Sequence, residues 1–171
     1  MYFYPFGPFE IVRDKLCISE NKEDKKIFWQ DVERTEAGLS EACGCYAFII
    51  RNKIWYIGRT KIQGFKGECF TDHKLKIYNK ALVQHPGKPK LMLVAKFTDT
   101  DRFSQPSDNH GDIIFLEKML IGLSLKRNPD LINIRDTKLL RHMAVPGVIN
   151  TWQGASTAKS VQLLKRSLGI E

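Results

Sequence analysis

Residues 44–58 read GCYAFIIRNKIWYIG, two β-rich runs around a short polar break. Cys45-Tyr46-Ala47-Phe48-Ile49-Ile50 and Ile54-Trp55-Tyr56-Ile57 are dense in β-branched and aromatic residues, Arg51-Asn52-Lys53 separates them, and Gly58 ends the second run. The pattern predicts a β-hairpin, and its loop decides which side chains share a face. With Arg51, Asn52 and Lys53 as a three-residue loop, Ile50 faces Ile54, Phe48 faces Tyr56 and Tyr46 faces Gly58. Tyr46 and Tyr56 are then diagonal neighbours on one face, close enough to share a site. A two-residue loop puts them on opposite faces. The three-residue loop is the expectation, with Trp55 pointing to the other face and into core.

Downstream, residues 69–85 predict a basic amphipathic helix. Cys69, Phe70, Ile77, Tyr78, Ala81 and Leu82 form its packing face, Lys74, Lys76 and Lys80 its charged one, and His85-Pro86-Gly87 stops it. Leu91–Phe97 is the third expected strand. Residues 99–111 are polar and rich in turn formers, and predict a loop. A second amphipathic helix begins at Asp112 and ends before Asn128-Pro129. Its apolar stripe of Ile113, Ile114, Leu116, Leu120, Ile121 and Leu123 surrounds Glu117. A carboxylate buried there without a partner costs several kcal/mol, roughly, so Glu117 must be protonated, paired or bound to a cation. The alternative is a boundary glutamate that reaches solvent past its aliphatic neighbours.

Upstream, Tyr2, Phe3, Tyr4, Phe6 and Phe9 among two prolines suggest an extended strap, Lys22–Lys26 a solvated charged patch, and Ile27–Glu36 a short helix closed by Gly38. After Asn133 comes a loop-rich segment containing Pro146-Gly147, then a short basic helix from about Thr157 to Leu168 capped by Ser156. The expected organisation is a strap over 1–40, a domain over 41–151 and a basic helix over 152–171, packed on or next to that domain. The fold class is a small α/β (α+β) domain with a three-stranded, mainly antiparallel sheet flanked by helices.

The chain has 171 residues and a net charge of +8, enough length for one domain with a real core. The charge is uneven: residues 1–40 carry 6 Lys/Arg against 8 Asp/Glu, residues 41–110 carry 12 against 6, and residues 111–171 carry 9 against 5. The basic excess begins at the hairpin, as expected for a phosphate-rich partner. Cys17, Cys43, Cys45 and Cys69 show no zinc spacing and read as reduced thiols, mostly buried, in a cytoplasmic protein. Neither a secretory signal nor a bilayer-spanning run is legible, so no membrane partner is expected.

Gly44-Cys45-Tyr46, followed ten residues after the tyrosine by Tyr56-Ile57-Gly58, resembles the paired motifs of the GIY-YIG nuclease superfamily. The stretches from Phe65 to Leu82 and from Phe115 to Arg135 are similar to an uncharacterised branch of it, and the resemblance covers roughly residues 43–135. It implies a divalent-metal-dependent endonuclease hydrolysing phosphodiester bonds, with DNA a better candidate than RNA and Mg²⁺ or Mn²⁺ as cofactor. By that resemblance Tyr46 acts as general base or orients the attacking water, and Tyr56 hydrogen-bonds the scissile phosphate or a metal-bound water. His73 is the helix histidine, Glu117 the metal ligand and Asn133 the downstream asparagine. Lys61, Lys66, Lys74, Lys76 and Lys80 would hold the sugar-phosphate backbone, which positions without reading sequence.

One departure stands out. The arginine usual on the first helix falls here on Glu68 or Cys69, and neither does an arginine's work. Arg59 or Lys66 would have to substitute, with Arg59 counted among the catalytic residues. The alternative is a module that kept the fold and binds nucleic acid without cutting it. A third reading is an interaction protein whose basic face meets an acidic partner. Each residue also has a plain role: core aromatic for Tyr46 and Tyr56, surface histidine for His73, turn or cap for Asn133, solvated face for the lysines.

Overall fold

A computed structural model of the chain describes residues 1–107, 109–133, 137–142 and 158–169. The main sheet has four antiparallel strands in the order β1-β6-β4-β5: β1 is Tyr2–Glu10, β4 Gly44–Ile50, β5 Lys53–Thr60 and β6 Pro89–Phe97. The short strands β2 (Arg13–Asp14) and β3 (Cys17–Ile18) pair with each other. The sheet therefore has one more strand than expected. The aromatic N-terminus is not a strap; it pairs along β6, with Phe3 opposite Lys96 and Phe9 opposite Leu91. Residues 1–40 thus belong to the same folded unit as the hairpin. The mixed α+β class holds.

The hairpin loop is shorter than expected, yet the tyrosines keep their face. Ile50 pairs with Lys53, leaving only Arg51 and Asn52 in the turn. Their φ values of 51° and 62° are those of a two-residue turn of the primed type, which matches the strand twist. Such a loop shifts the register by one residue, and a β-bulge shifts it back. Ile49 pairs with Ile54 and Phe48 with Tyr56, so Trp55 is the extra residue. Tyr46 again faces Gly58. Trp55 is core, as expected, but the bulge turns it to the face of Tyr56 rather than the other one. It packs in the same core cluster as Tyr56, stacked on His85 at 3.9 Å between ring centroids.

Helices cover both faces of the sheet. On one side lie α1 (Lys22–Thr35), through Phe28, Trp29 and Val32, and α3 (Asp72–Gln84), through Leu75, Tyr78, Ala81 and Leu82; their core includes Tyr46, Phe48 and Tyr56. The supposed charged patch at residues 22–26 is the first turn of α1, capped by the Asn21 side chain, which accepts from the Glu23 N–H at 2.9 Å. The short α2 (Phe65–Glu68) and the break at Cys69–Thr71 replace the expected start of the basic helix. On the opposite side α4 (Gly111–Arg127) packs Ile113, Ile121 and Leu125 against Cys45, Ala47 and Ile57.

The outer edge of β5 is not left open. The Asn128 amide donates to the Ile54 carbonyl at 2.7 Å, and the Ile132 N–H donates to the Trp55 carbonyl at 2.9 Å. Asn133 continues the seam, and α5 (Thr137–His142) secures it: the Thr137 hydroxyl donates to the Asn133 carbonyl at 2.6 Å. The last helix, α6, runs Lys159–Ser167 with none of its residues buried, so it is not packed into the core. The expected Pro146-Gly147 turn and Ser156 cap lie outside the described residues. Among the described residues, no helix is long and apolar enough to cross a membrane.

Candidate active site

Tyr56 and Arg59 alternate to opposite faces of β5, yet both line one cleft of about 570 Å³. The cleft therefore passes round the edge of that strand, between α3 and α4. His73 and Lys74 border it from α3, Glu117 from α4, and Glu68 from α2. Ile77, Ile121 and Ile132 supply its apolar walls.

Two ion pairs set its electrostatics. On the α4 side, Glu117 is 10% exposed and pairs directly with the Arg59 guanidinium, itself 35% exposed. This is the paired fate among those open to a glutamate on an apolar stripe. On the α3 side, the Lys74 ammonium donates to the Tyr56 hydroxyl at 2.9 Å and lies 3.1 Å from Glu68 Oε1. Burial pulls the Lys74 ammonium toward neutrality. The Tyr56 hydroxyl and the Glu68 carboxylate outweigh it and raise its pKa, so Lys74 is a cation.

The two hairpin tyrosines are neighbours, with ring centroids 6.2 Å apart, but they have different surroundings. Tyr56 is 9% exposed and opens on the cleft; Tyr46 is 0% exposed. The Tyr46 ring lies over Gly58, where even a Cβ would come within 2.7 Å of ring atom Cε2. The second motif's glycine is thus the floor on which the first motif's tyrosine lies. Gly44 is equally constrained, since a Cβ there would meet the Val94 carbonyl carbon at 3.0 Å. Burial pushes the Tyr46 phenol well above its ordinary pKa, and nearby Tyr78, Cys69, Tyr56 and Glu68 add to the shift. Tyr46 is therefore enclosed in the core behind Tyr56, where the resemblance implied a base or water-orienting group.

Asn133 is also reassigned. Its amide nitrogen donates to the Ile57 carbonyl at 2.7 Å and its oxygen accepts the Ile57 N–H at 2.9 Å. It borders the cleft but acts as a surrogate fifth strand rather than a nucleic-acid contact. Of the lysines, Lys74 lines the cleft. Lys66 lies on a separate groove with Lys26 and Trp29, and Lys76 and Lys80 are exposed along α3. Lys61, just past β5, is half-buried. Tyr56, Arg59, His73 and Glu117 are thus brought together, and Tyr46 is not.

Two partnerships escaped sequence reasoning. Glu68 and Lys74 are six residues apart across a helix break, where no periodic rule brings side chains together. Arg59 and Glu117 are 58 apart; the alternation of β5 puts Arg59 opposite Tyr56, the one signal that it faces a different helix.

For the Mg²⁺ or Mn²⁺ implied by the resemblance, the cleft offers one carboxylate on α4, Glu117, which is paired with Arg59. Among the described residues no three His, Cys, Asp or Glu gather into a cage; a hard cation held by the Glu117 carboxylate alone would keep most of its waters, for which the cleft has room. Compared with known proteins, the chain matches no family model, no curated protein and no solved structure.

Proposed function

We propose that the cleft hydrolyses phosphodiester bonds of DNA as a divalent-metal-dependent endonuclease of the GIY-YIG type. The observation that carries this reading is the meeting of Tyr56, Arg59, His73 and Glu117, from three separate elements, on one cleft. When bound at Glu117, the metal ion supplies positive charge for the phosphorus oxygens and the leaving oxygen. Arg59, the more exposed member of its ion pair, offers a planar fork of donors to a phosphate. Tyr56 accepts from Lys74 and keeps its own O–H to donate toward the phosphate or the attacking water. His73, exposed on the rim, takes the water's proton. Water's oxygen forms the new P–O bond as the bond to the sugar oxygen breaks. That oxygen leaves with the electron pair and collects a proton from solvent.

A second reading, a module that binds nucleic acid without cutting, draws support from the burial of Tyr46 and from the Arg59–Glu117 pair. Nicking of supercoiled plasmid with Mg²⁺ or Mn²⁺ separates them. The expected result is nicking by the parent chain, reduced about 1,000-fold in Glu117→Ala and about 100-fold in Tyr56→Phe. Salt-sensitive DNA binding without nicking selects the second reading. No DNA binding at low salt removes both.

A further inference from the structure

We propose that Lys74 is the residue of this cleft that meets a nucleic-acid phosphate beside Tyr56, and that Glu68 positions it. The inference deepens the function proposed above and depends on it only for cleavage, not for phosphate contact.

An ammonium carries three N–H donors and no acceptor. Two acceptors are supplied by the protein, the Tyr56 hydroxyl at 2.9 Å and Glu68 Oε1 at 3.1 Å. The Lys74 side chain is only 13% exposed, so the remaining donor faces the cleft rather than the open surface that a surface lysine meets. The open space next to that ammonium is the cleft, on whose other side the Arg59 guanidinium stands. A phosphate oxygen entering there completes the third hydrogen bond and sits between two cations, each already balanced by its own carboxylate.

The ammonium is also fixed in place. Glu68 is held by a second contact, since its Oε2 accepts from the Gln63 amide at 2.7 Å. The Lys74 ammonium in turn lies 5.2 Å from the Tyr56 ring centroid, against the ring it serves. A charge held this way needs no reorganisation when a phosphate arrives, unlike Lys76 and Lys80 on exposed stems. The carboxylate at position 68, where the sequence raised doubt about the chemistry, is therefore the group that presents the cation.

The test uses the full chain and two probes. One is supercoiled plasmid with Mg²⁺; the other is a short fluorescent DNA duplex titrated in EDTA over a range of salt. Lys74→Met is expected to nick about 100-fold more slowly than the parent, with a salt dependence shallower by about one phosphate contact. Lys74→Arg is expected to keep both properties in large part. Glu68→Gln is expected to slow single-turnover nicking about tenfold with the salt slope unchanged. If Lys74→Met does not fold, Lys74→Gln reads the same slope change while keeping a donor to Tyr56. A parent chain that nicks, with a Lys74→Met variant matching it in rate and slope, overturns this inference and leaves the nuclease reading intact. A parent that never nicks, with a slope that still flattens in Lys74→Met, sinks the nuclease reading and leaves this inference standing.

Discussion

The two sides of β5 carry the same chemistry, a cation and a carboxylate, in different enclosures. Toward α3, Lys74 and Glu68 are tied to each other, to Tyr56 and to Gln63, with both side chains largely covered. Toward α4, Glu117 is more covered still, but its partner Arg59 is one-third exposed. The first pair is a fixture, because Lys74 also holds the Tyr56 hydroxyl and Glu68 the Gln63 amide. The second has one outer member: the guanidinium near solvent has N–H donors to offer another anion while it keeps Glu117. Under the proposed function both sides would meet phosphate, the α3 side through a fixed cation and the α4 side through one nearer solvent.

The sharpest way to break this comparison is to disturb the floor of the α3 side. Gly58→Ala puts a methyl where the Tyr46 ring lies, and is expected to destabilise the fold by about 3 kcal/mol. At this chain length that is a fall in Tm of roughly 6–12 °C. A melt within 2 °C of the parent, about the limit of a clear shift, would show that the ring moves aside freely.

On the α4 side the two halves of the ion pair should be unequal. Arg59→Met takes the guanidinium from a covered carboxylate and is expected to cost about 2 kcal/mol, whereas Glu117→Gln leaves a guanidinium able to turn to water and is expected to cost under about 1 kcal/mol. Urea midpoints measure the difference; equal costs would mean that Arg59 is no freer than Lys74.

Smaller still is an acid effect at the start of α4. There Asp112 ion-pairs with the buried Lys96 at 2.7 Å, and Lys96 also donates to His110 Nδ1 at 3.0 Å. Partial burial raises the Asp112 pKa, but the Lys96 ammonium and the Ile113 N–H more than reverse it, so the pKa in the fold lies below the ordinary value. A depressed carboxyl stabilises the fold above the unfolded-state pKa of about 4 and loses that contribution as pH falls through the folded value. Asp112→Asn should thus lose less stability than the parent between about pH 5 and pH 2. Parallel acid curves would remove Asp112 from the account. The least change is expected for Tyr46→Phe, which deletes an enclosed hydroxyl that, among the described residues, has only the equally enclosed Tyr78 hydroxyl near it as a hydrogen-bonding group. It should nick within about twofold of the parent and melt within about 4 °C of it. A large loss of nicking would restore Tyr46 to the chemistry.

How far the site was legible varies residue by residue. Glu117 announced itself because a charge amid Ile113, Leu120 and Ile121 has few permitted fates, and one of them is what the fold contains. Tyr46 and Tyr56 were correctly set on one face, though by a two-residue turn plus a bulge at Trp55 rather than by a three-residue loop. Two one-residue shifts cancelled. A bulge leaves no mark in a run such as IWYI, since every residue there suits a strand in either register. The strand formed by Tyr2–Glu10 was missed because glycine and prolines interrupt its pattern; the edge position, where a missing N–H donor is tolerated, makes it possible.

From the order of residues alone came what depends on near neighbours: the hairpin, the helices of His73 and Glu117, the basic excess from residue 41 onward, and the demand that Glu117 have a partner. These follow from periods of two and 3.6 residues and from the cost of an unpaired buried charge. Tertiary packing decided which tyrosine reaches the cleft, which cation meets which acid, and that Asn133 closes a strand edge. Exposure and pairing are properties of surfaces that meet from distant parts of the chain. Arg59 and Glu117 become neighbours only because α4 crosses the far face of the hairpin.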